Sequence, residues 1–188
     1  MDKEQILNAA AQIIRQKGFH ATSMQDIAEA VHLQKASLYH HFNSKQEILL
    51  MLLDKGVDLL AERVGPVVSQ NLPADQKLRT AVHCYLEVEA ERRDLISVLL
   101  LEYRSLAPEL LSRHIPRRDR FERQWRTIIQ QGIDSGSFCI SEPALAVRTL
   151  MGVLNWTVTW YRPSGKLSME EIATHVSDLF LNGLLCRQ

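Results

Sequence analysis

The sequence predicts an all-α protein of about nine helices. Apolar residues recur at spacings of three and four over most of the chain, as they do on one face of a helix. No segment shows the sustained alternation or the clusters of β-branched residues that are typical of strands. With 188 residues, of which 46% are hydrophobic, the chain is long enough to bury a substantial core.

Capping and stop signals locate the helices along the chain. Three serine–acid pairs have the spacing of a capping box at a helix start: Ser23 with Asp26, Ser44 with Glu47, and Ser168 with Glu171. We expect Gly18 and the Gly65-Pro66 pair to end helices, and Pro116 to lie in the first turn of another. The predicted helices are, in order, residues 2–17, one from Ser23, 35–41, 44–63, 75–91, one from Arg93 to a bend at 105–108, 116–134, 143–161 and 168–185.

Residues 22–45 have the layout of a helix-turn-helix DNA reader, two short helices joined by a tight turn and followed by a capped third helix. Leu38 and Phe42 lie four residues apart and are expected to point inward. The polar side chains around them can donate hydrogen bonds. Lys45 falls in the first turn of the next helix, where the helix dipole favours acidic residues, and this position predicts a nearby phosphate.

Five groups of residues in this part of the chain resemble the TetR family of bacterial transcription regulators: Ala9-Ala10, Lys17-Gly18-Phe19, Ile27-Ala28, Leu38-Tyr39-His40-His41-Phe42 and Lys45. The resemblance implies a DNA-binding domain over residues 1–45 and an effector-binding and dimerisation domain over residues 46–188. His32 and Ala36 stand where that family commonly has glycine, and Gln34 replaces a usual serine or threonine. Histidine is among the residues that tolerate a left-handed turn.

The expected partner of the reader is double-stranded operator DNA. The residues predicted to contact it are Ser23, Gln34, Lys35, Ala36, Ser37, Tyr39, His40, His41 and Lys45. Residues 1–45 contain five Lys or Arg against four Asp or Glu, so each subunit neutralises few phosphates. We therefore expect a modest salt dependence per subunit, which a homodimer doubles.

The last predicted helix carries an apolar stripe with the spacing of a helix-packing seam. We expect this stripe to form a homodimer interface, as the family resemblance implies, through Ile172, Val176, Leu179, Phe180 and Gly183. The alternative is that the stripe serves only the core of one protomer.

The segment from Leu154 to Pro163 is rich in tryptophan, which favours a small-molecule pocket lined by aromatic residues with a few polar anchors. The candidate ligand-binding residues are Tyr103, Arg104, Trp125, Asn155, Trp156 and Trp160. Core aromatics with salt bridges are the alternative. The same segment, with Gly165 and Ser168 beyond it, resembles the C-terminal domain of TetR-type regulators of fatty-acid, steroid and acyl-CoA metabolism, which implies a small hydrophobic effector, often an acyl-CoA.

These features lead to three hypotheses about function. The first is a dimeric repressor that a small ligand releases from a palindromic operator. The second is a DNA-binding protein of the same fold that has no small effector and is controlled by a protein partner. The third is a helical enzyme that reuses the fold, but the chain contains no glycine-rich phosphate loop, HExxH motif or nucleophile elbow. We predict no enzyme activity and no cofactor.

Two further expectations concern metal binding and location. The three cysteines, Cys84, Cys139 and Cys186, are far apart and odd in number, so we expect thiols rather than a disulfide framework or a metal site. The first residues are charged, and no apolar run approaches the roughly 18 residues that cross a bilayer. A cytoplasmic protein with no membrane partner is expected.

Overall fold

The computed structural model describes residues 2–184, which form nine α-helices and one short 3-10 helix. The α-helices are α1 Lys3–Lys17, α2 Met24–Ala30, α3 Lys35–Tyr39, α4 Lys45–Val68, α5 Ala74–Glu91, α6 Arg93–Leu101, α7 Pro108–Asp134, α8 Pro143–Trp160 and α9 Met169–Leu184. The 3-10 helix, Tyr103–Ser105, lies between α6 and α7. No strand occurs within residues 2–184, so the predicted fold class is confirmed.

Most helix ends follow the local signals of the sequence. Gly18 ends α1 with φ +82°, a conformation that favours glycine. Ser23 and Asp26 form the expected capping box at the start of α2. Ser168 and Glu171 form the corresponding pair at α9, where the Glu171 carboxylate accepts the Ser168 N–H at 2.7 Å.

Two prolines correct the predicted boundaries. Pro66 lies inside α4, which continues to Val68 rather than ending near Arg63. Pro66 removes one hydrogen bond of the helix, because it has no N–H to donate to the carbonyl four residues before it. The buried ammonium group of Lys77 also donates to the Val68 carbonyl at 2.9 Å, which stabilises the extended end of the helix.

Pro116 lies within α7 instead of opening it, because the helix begins at Pro108. The carbonyl of Ala107 accepts the N–H of Leu111 at 2.8 Å and closes the first turn there. Burial of apolar side chains such as Phe121, Trp125 and Ile128 along α7 offsets the hydrogen bond that Pro116 cannot make.

The described chain forms two compact units. The first comprises the chain up to Val57 together with Arg92–Arg118, and α1 packs there against α2 and α6. The second comprises Asp58–Glu91 and the chain from Asp119 onward, and α5 packs there against α8 and α9. These units are defined by compactness, whereas the sequence-based division at residue 45 is a prediction about function.

The cysteines and the helix lengths bear on the remaining expectations. Cys84 is a half-buried free thiol. Cys139 is disulfide-bonded, which corrects the expectation of thiols throughout, because spacing in the sequence does not show which sulfur atoms the fold brings together. Cys186 lies outside the described residues. None of the helices in residues 2–184 has both the length and the apolarity needed to cross a membrane.

Candidate functional site

The first candidate site is the reader formed by α2 and α3. Ser23 closes the start of α2: its N–H donates to the Asp26 carboxylate at 2.7 Å, and the Asp26 N–H donates to the Ser23 hydroxyl at 3.1 Å. The ammonium group of Lys17 lies 2.9 Å from the same carboxylate. The Ser23 side chain, and after it Lys17, hold the pKa of Asp26 far below its usual range.

The turn between α2 and α3 contains His32 in the left-handed region, with φ +54°. It is one of the two positions, with Ala36, at which the sequence lacks a glycine common in the TetR family. The N–H groups of His32 and Leu33 donate to Glu29 and Ala28 at 3.0 and 2.9 Å, so the main chain fixes the turn. A left-handed conformation is costly for most side chains, and histidine is among those enriched there.

The helix α3 buries Leu38 and leaves its opposite side in solvent. Tyr39 is 47% exposed and lies four residues after Lys35, so these two side chains share one face. Gln34 makes no side-chain cap at the start of α3. Among the predicted DNA contacts, Ser37, His41 and Lys45 are half-buried, and the exposed ones are Ser23, Gln34, Lys35, Ala36, Tyr39 and His40.

Lys45 differs from the other predicted contacts because its ammonium group is bound within the protein. Nζ donates to the carbonyl oxygens of Phe19 at 2.7 Å and Thr22 at 2.5 Å, and His20 offers a longer contact at 3.4 Å. The same nitrogen lies 4.3 Å from the centroid of the Phe19 ring. Lys45 therefore joins the start of α4 to the loop between α1 and α2.

The second candidate site lies in the core of the second unit, around Tyr85. This tyrosine is buried, and its hydroxyl donates to Oδ1 of Asn155 at 2.7 Å. Burial, and then the charge of Glu89, raise the pKa of Tyr85 far above its usual value, so the phenol stays protonated as a donor. Two residues further along α8, the Thr157 hydroxyl donates to the Glu89 carboxylate at 2.6 Å.

These four side chains, Tyr85, Glu89, Asn155 and Thr157, form a polar core, and Trp125 packs against its Tyr85. The Trp125 ring centroid lies 6.2 Å from that of Tyr85 and 6.3 Å from that of Phe121, both in edge-to-face geometry. The side chain is completely buried, and its indole N–H has no acceptor among the described residues. A buried donor without an acceptor costs about 1–3 kcal/mol, so the Trp125 N–H is a candidate hydrogen-bond donor in this core.

The structure brings together only part of the predicted ligand site. Trp125 and Asn155 both contact Tyr85, whereas Trp156 and Trp160 are 65% and 47% exposed on α8. Tyr103 and Arg104 belong to the first unit, where the Arg104 guanidinium donates to the Tyr103 hydroxyl at 2.9 Å.

Sequence reasoning missed three members of the polar core: Tyr85, Glu89 and Thr157. Glu89 follows Tyr85 by four residues within the apolar stripe of α5, and a buried acid at such a position is the signal that was available.

The structure exposes only part of the predicted dimer stripe of α9 to solvent. Leu179 is 74% exposed and Gly183 is also exposed, whereas Ile172 is buried within the protomer. Val176 and Phe180 are half-buried. Further apolar exposure occurs on α8 at Leu145, Val153, Trp156 and Trp160.

Comparisons with known proteins agree with this architecture. Residues 6–52 match the family model of bacterial regulatory proteins of the tetR family. Residues 71–184 match the model of the tetracyclin repressor-like C-terminal domain. The HTH-type transcriptional repressor KstR2 of Rhodococcus jostii (strain RHA1) is 27% identical over 97% of this chain and 90% of that protein. KstR2 of Mycobacterium tuberculosis is described as a ketosteroid transcriptional regulator, which confirms the resemblance to the fatty-acid and steroid branch.

Solved structures show the same fold over nearly the whole chain. The TetR family regulator PfmR from Thermus thermophilus has a TM-score of 0.88 and 35% identity, covering 96% of this chain and 98% of that one. AibR, in complex with isovaleryl coenzyme A and operator DNA, has a TM-score of 0.85 and 24% identity, covering 97% of each chain. The two matching models and the two-helix reader lead to one conclusion: the chain belongs to the tetR family of bacterial regulatory proteins and is a DNA-binding transcription regulator.

Proposed function

We propose that the protein is a dimeric repressor that binds a palindromic operator and is released by a small hydrophobic effector. The observation that carries the DNA-binding part is the exposed face of α3, where Lys35 and Tyr39 stand side by side above the buried Leu38. Such a helix enters the major groove and reads base edges through side chains near its start. Ser23, Gln34, Ala36, Ser37, His40 and His41 complete the contact surface.

A homodimer supplies the second reader that a palindrome requires. The exposed Leu179 and Gly183 of α9 and the exposed Trp156 and Trp160 of α8 supply apolar surface for pairing two copies. We assign the two tryptophans to this face rather than to the effector site, because both side chains are exposed on the surface of the protomer.

The effector site that we propose lies around Tyr85, Trp125 and Asn155. The Trp125 N–H requires an acceptor, and a carbonyl oxygen of a thioester or ketone provides one. Because Tyr85 occupies the oxygen of the Asn155 amide, the amide N–H₂ group is directed away from Tyr85 and offers further donors. An acyl-CoA would supply such an acceptor oxygen together with an apolar chain for the aromatic surroundings, and AibR, which shares this fold, was solved in complex with isovaleryl coenzyme A and operator DNA.

The effector acts by changing the distance between two readers. Helix α4 begins at Lys45, beside the reader, and continues to Val68. A shift of α4 in each protomer would displace the recognition helices from half-sites spaced by one helical turn of roughly 34–36 Å or a multiple of it. A preference of about 1–3 kcal/mol for the DNA-incompetent state suffices to weaken operator binding some 5- to 150-fold.

The test combines a ligand panel with two variants. Acyl-CoAs, free fatty acids and aromatic drugs are scored by thermal shift and by release of an operator selected from a random-sequence library. We expect acyl-CoAs to release the wild type from the operator. Trp125→Phe keeps an aromatic ring but loses the indole N–H, and its response should be about tenfold weaker. Leu72→Ala, at an exposed apolar side chain of the second unit, is the control. Release by unesterified compounds alone would contradict the thioester assignment.

A second candidate function is a DNA-binding protein without a small effector, controlled by a protein partner. The contact of Tyr85 with Phe121 and Trp125, with centroids 6.2 to 6.3 Å apart, favours it because these rings already fill part of the core. Operator binding that no compound in the panel reverses, together with an absence of thermal shifts, would favour this second function.

A further inference from the structure

We infer that Glu102 and Gln46 are positioning residues for operator binding. Neither belongs to the reader, yet both make main-chain hydrogen bonds that fix the elements next to it. We call residues 102–107, from Glu102 to Ala107, the latch segment. The inference rests on DNA binding by α3, as proposed above, and does not depend on the effector.

Glu102 binds the loop that precedes the reader. One carboxylate oxygen accepts the N–H of Phe19 at 3.2 Å, and the other accepts the Ser105 hydroxyl at 2.9 Å. The hydrogen bond from Ser105 holds the carboxylate within the latch segment. The hydrogen bond from Phe19 therefore determines where the loop before the reader lies. A hydrogen bond to a charged acceptor is about twice as strong as one between two neutral groups.

Gln46 binds the latch segment to the first turn of α4. Its amide nitrogen donates to the Ser105 carbonyl at 3.0 Å, and its amide oxygen accepts the Ala107 N–H at 2.9 Å. Both ends of one amide are thus used on main-chain groups two residues apart. This two-point contact fixes the direction of the segment as well as its distance from α4.

Together with Lys45, these contacts bind the main chain of Phe19 on both of its polar groups. Glu102 accepts its N–H, and Lys45 donates to its C=O at 2.7 Å. The chain then reaches Ser23, the N-cap of α2, four residues after Phe19. The position of this loop therefore sets the position from which the reader starts.

The hydrogen bonds of Glu102 and Gln46 affect the orientation of the reader more than the stability of the first unit. The first unit is held together mainly by its apolar core, which includes Ile6, Ile14, Ile27, Leu38 and Phe42. Glu102 and Gln46 lie at the edge of that core and are half-buried. Their removal leaves the apolar packing intact and frees the loop to move, which weakens the one arrangement that fits the operator.

The experiment measures affinity for the selected operator and for a scrambled duplex over a series of salt concentrations, alongside thermal unfolding. We expect Glu102→Ala and Gln46→Ala to bind the operator about tenfold more weakly, with unchanged affinity for the scrambled duplex and an unchanged salt slope. Glu102→Gln should recover most of the affinity, because an amide oxygen still accepts the Phe19 N–H. Glu109→Ala and Gln12→Ala, on exposed helix surface of the same unit, are the matched controls.

Amide hydrogen exchange gives a readout independent of DNA. The Phe19 N–H should be protected in the wild type and in Glu102→Gln, and should lose protection in Glu102→Ala. Operator affinity equal to the wild type in both alanine variants would overturn the inference. So would a loss of operator and scrambled-duplex affinity in parallel with a fall in melting temperature, since that shows a merely structural role. A wild type that selects no operator would instead contradict the proposed function itself.

Discussion

The ammonium group of Lys45 lies 2.7 Å from the carbonyl oxygen of Phe19 and 4.3 Å from the centroid of its ring. One lysine therefore binds both the main chain and the side chain of the same residue across 26 positions of sequence. Its further contact with Thr22 directs another of its N–H bonds into the loop. Lys45 thus binds the loop that leads into the reader, a role that its position in the sequence did not predict.

The first prediction separates this support from a phosphate contact. Lys45→Met should lower the free energy of unfolding by about 1–3 kcal/mol, because several carbonyls lose a charged donor. We expect the salt slope of DNA binding to stay unchanged, whereas Lys35→Met, on the exposed face of α3, should reduce it by about 0.9. Denaturant unfolding and salt titrations measure both quantities. An equal reduction of the salt slope in Lys45→Met would instead support the phosphate contact that the sequence predicts.

The second prediction concerns the left-handed turn at His32. His32→Val should lower the free energy of unfolding by about 1–2 kcal/mol, because a β-branched side chain is strained at positive φ. His32→Gly should raise it by up to about 1 kcal/mol, since glycine adopts this conformation freely. His32→Asn, which also tolerates the conformation, is the matched control and should change little. Equal stability of the valine and glycine variants in urea unfolding would contradict the turn geometry.

The third prediction is a pH dependence that arises from Asp26. The pKa of this carboxyl is held far below its ordinary value in the folded protein, first by the Ser23 side chain and then by Lys17. A depressed folded pKa adds stability that is present above the unfolded pKa and is lost as the pH falls toward the folded one. Asp26→Asn should therefore flatten the decline of unfolding free energy below about pH 4. Glu29→Gln on the same helix is the control, and an unaltered decline in Asp26→Asn would contradict the prediction.

The fourth prediction tests the dimer face. Leu179→Glu should shift the protein toward monomer and weaken operator binding, because a charge replaces a side chain that is 74% exposed in the protomer. Gly183→Leu should act in the same direction, and an added Cβ there meets no described atom within 4 Å. Light scattering measures the mass. Leu167→Glu, at another exposed leucine, serves as the control. An unchanged dimer in both α9 variants would show that the interface does not lie on this helix.

Much of the fold and of the reader follows from local sequence. The capping box of Ser23 and Asp26, the stop at Gly18 and the left-handed His32 each depend on residues within a few positions of one another. Such short-range hydrogen bonds and backbone preferences are specified by neighbouring residues, so the pattern alone predicts them.

Other features depend on residues that are distant in sequence. Pro66 lies within a helix whose last carbonyl is bound by Lys77, and no local signal shows that contact. Tyr85 meets Asn155 across 70 positions, and the pairing selects the amide orientation that the candidate ligand site presents. Trp156 and Asn155 are neighbours in the chain, but only the tryptophan is exposed, because packing of α8 decides which side of the helix is covered.

Residue patterns in the chain were enough to predict the helices, apart from the boundaries near Pro66 and Pro116, and also the reader and the family. Which charged and polar groups meet depends on the folded chain: Lys45 with Phe19, Glu102 with Phe19, and Tyr85 with Asn155. These two kinds of feature differ in the range of the interactions that produce them. Helix propensity and capping act over one turn, whereas the burial of a polar side chain is acceptable only where a distant partner completes its hydrogen bonds.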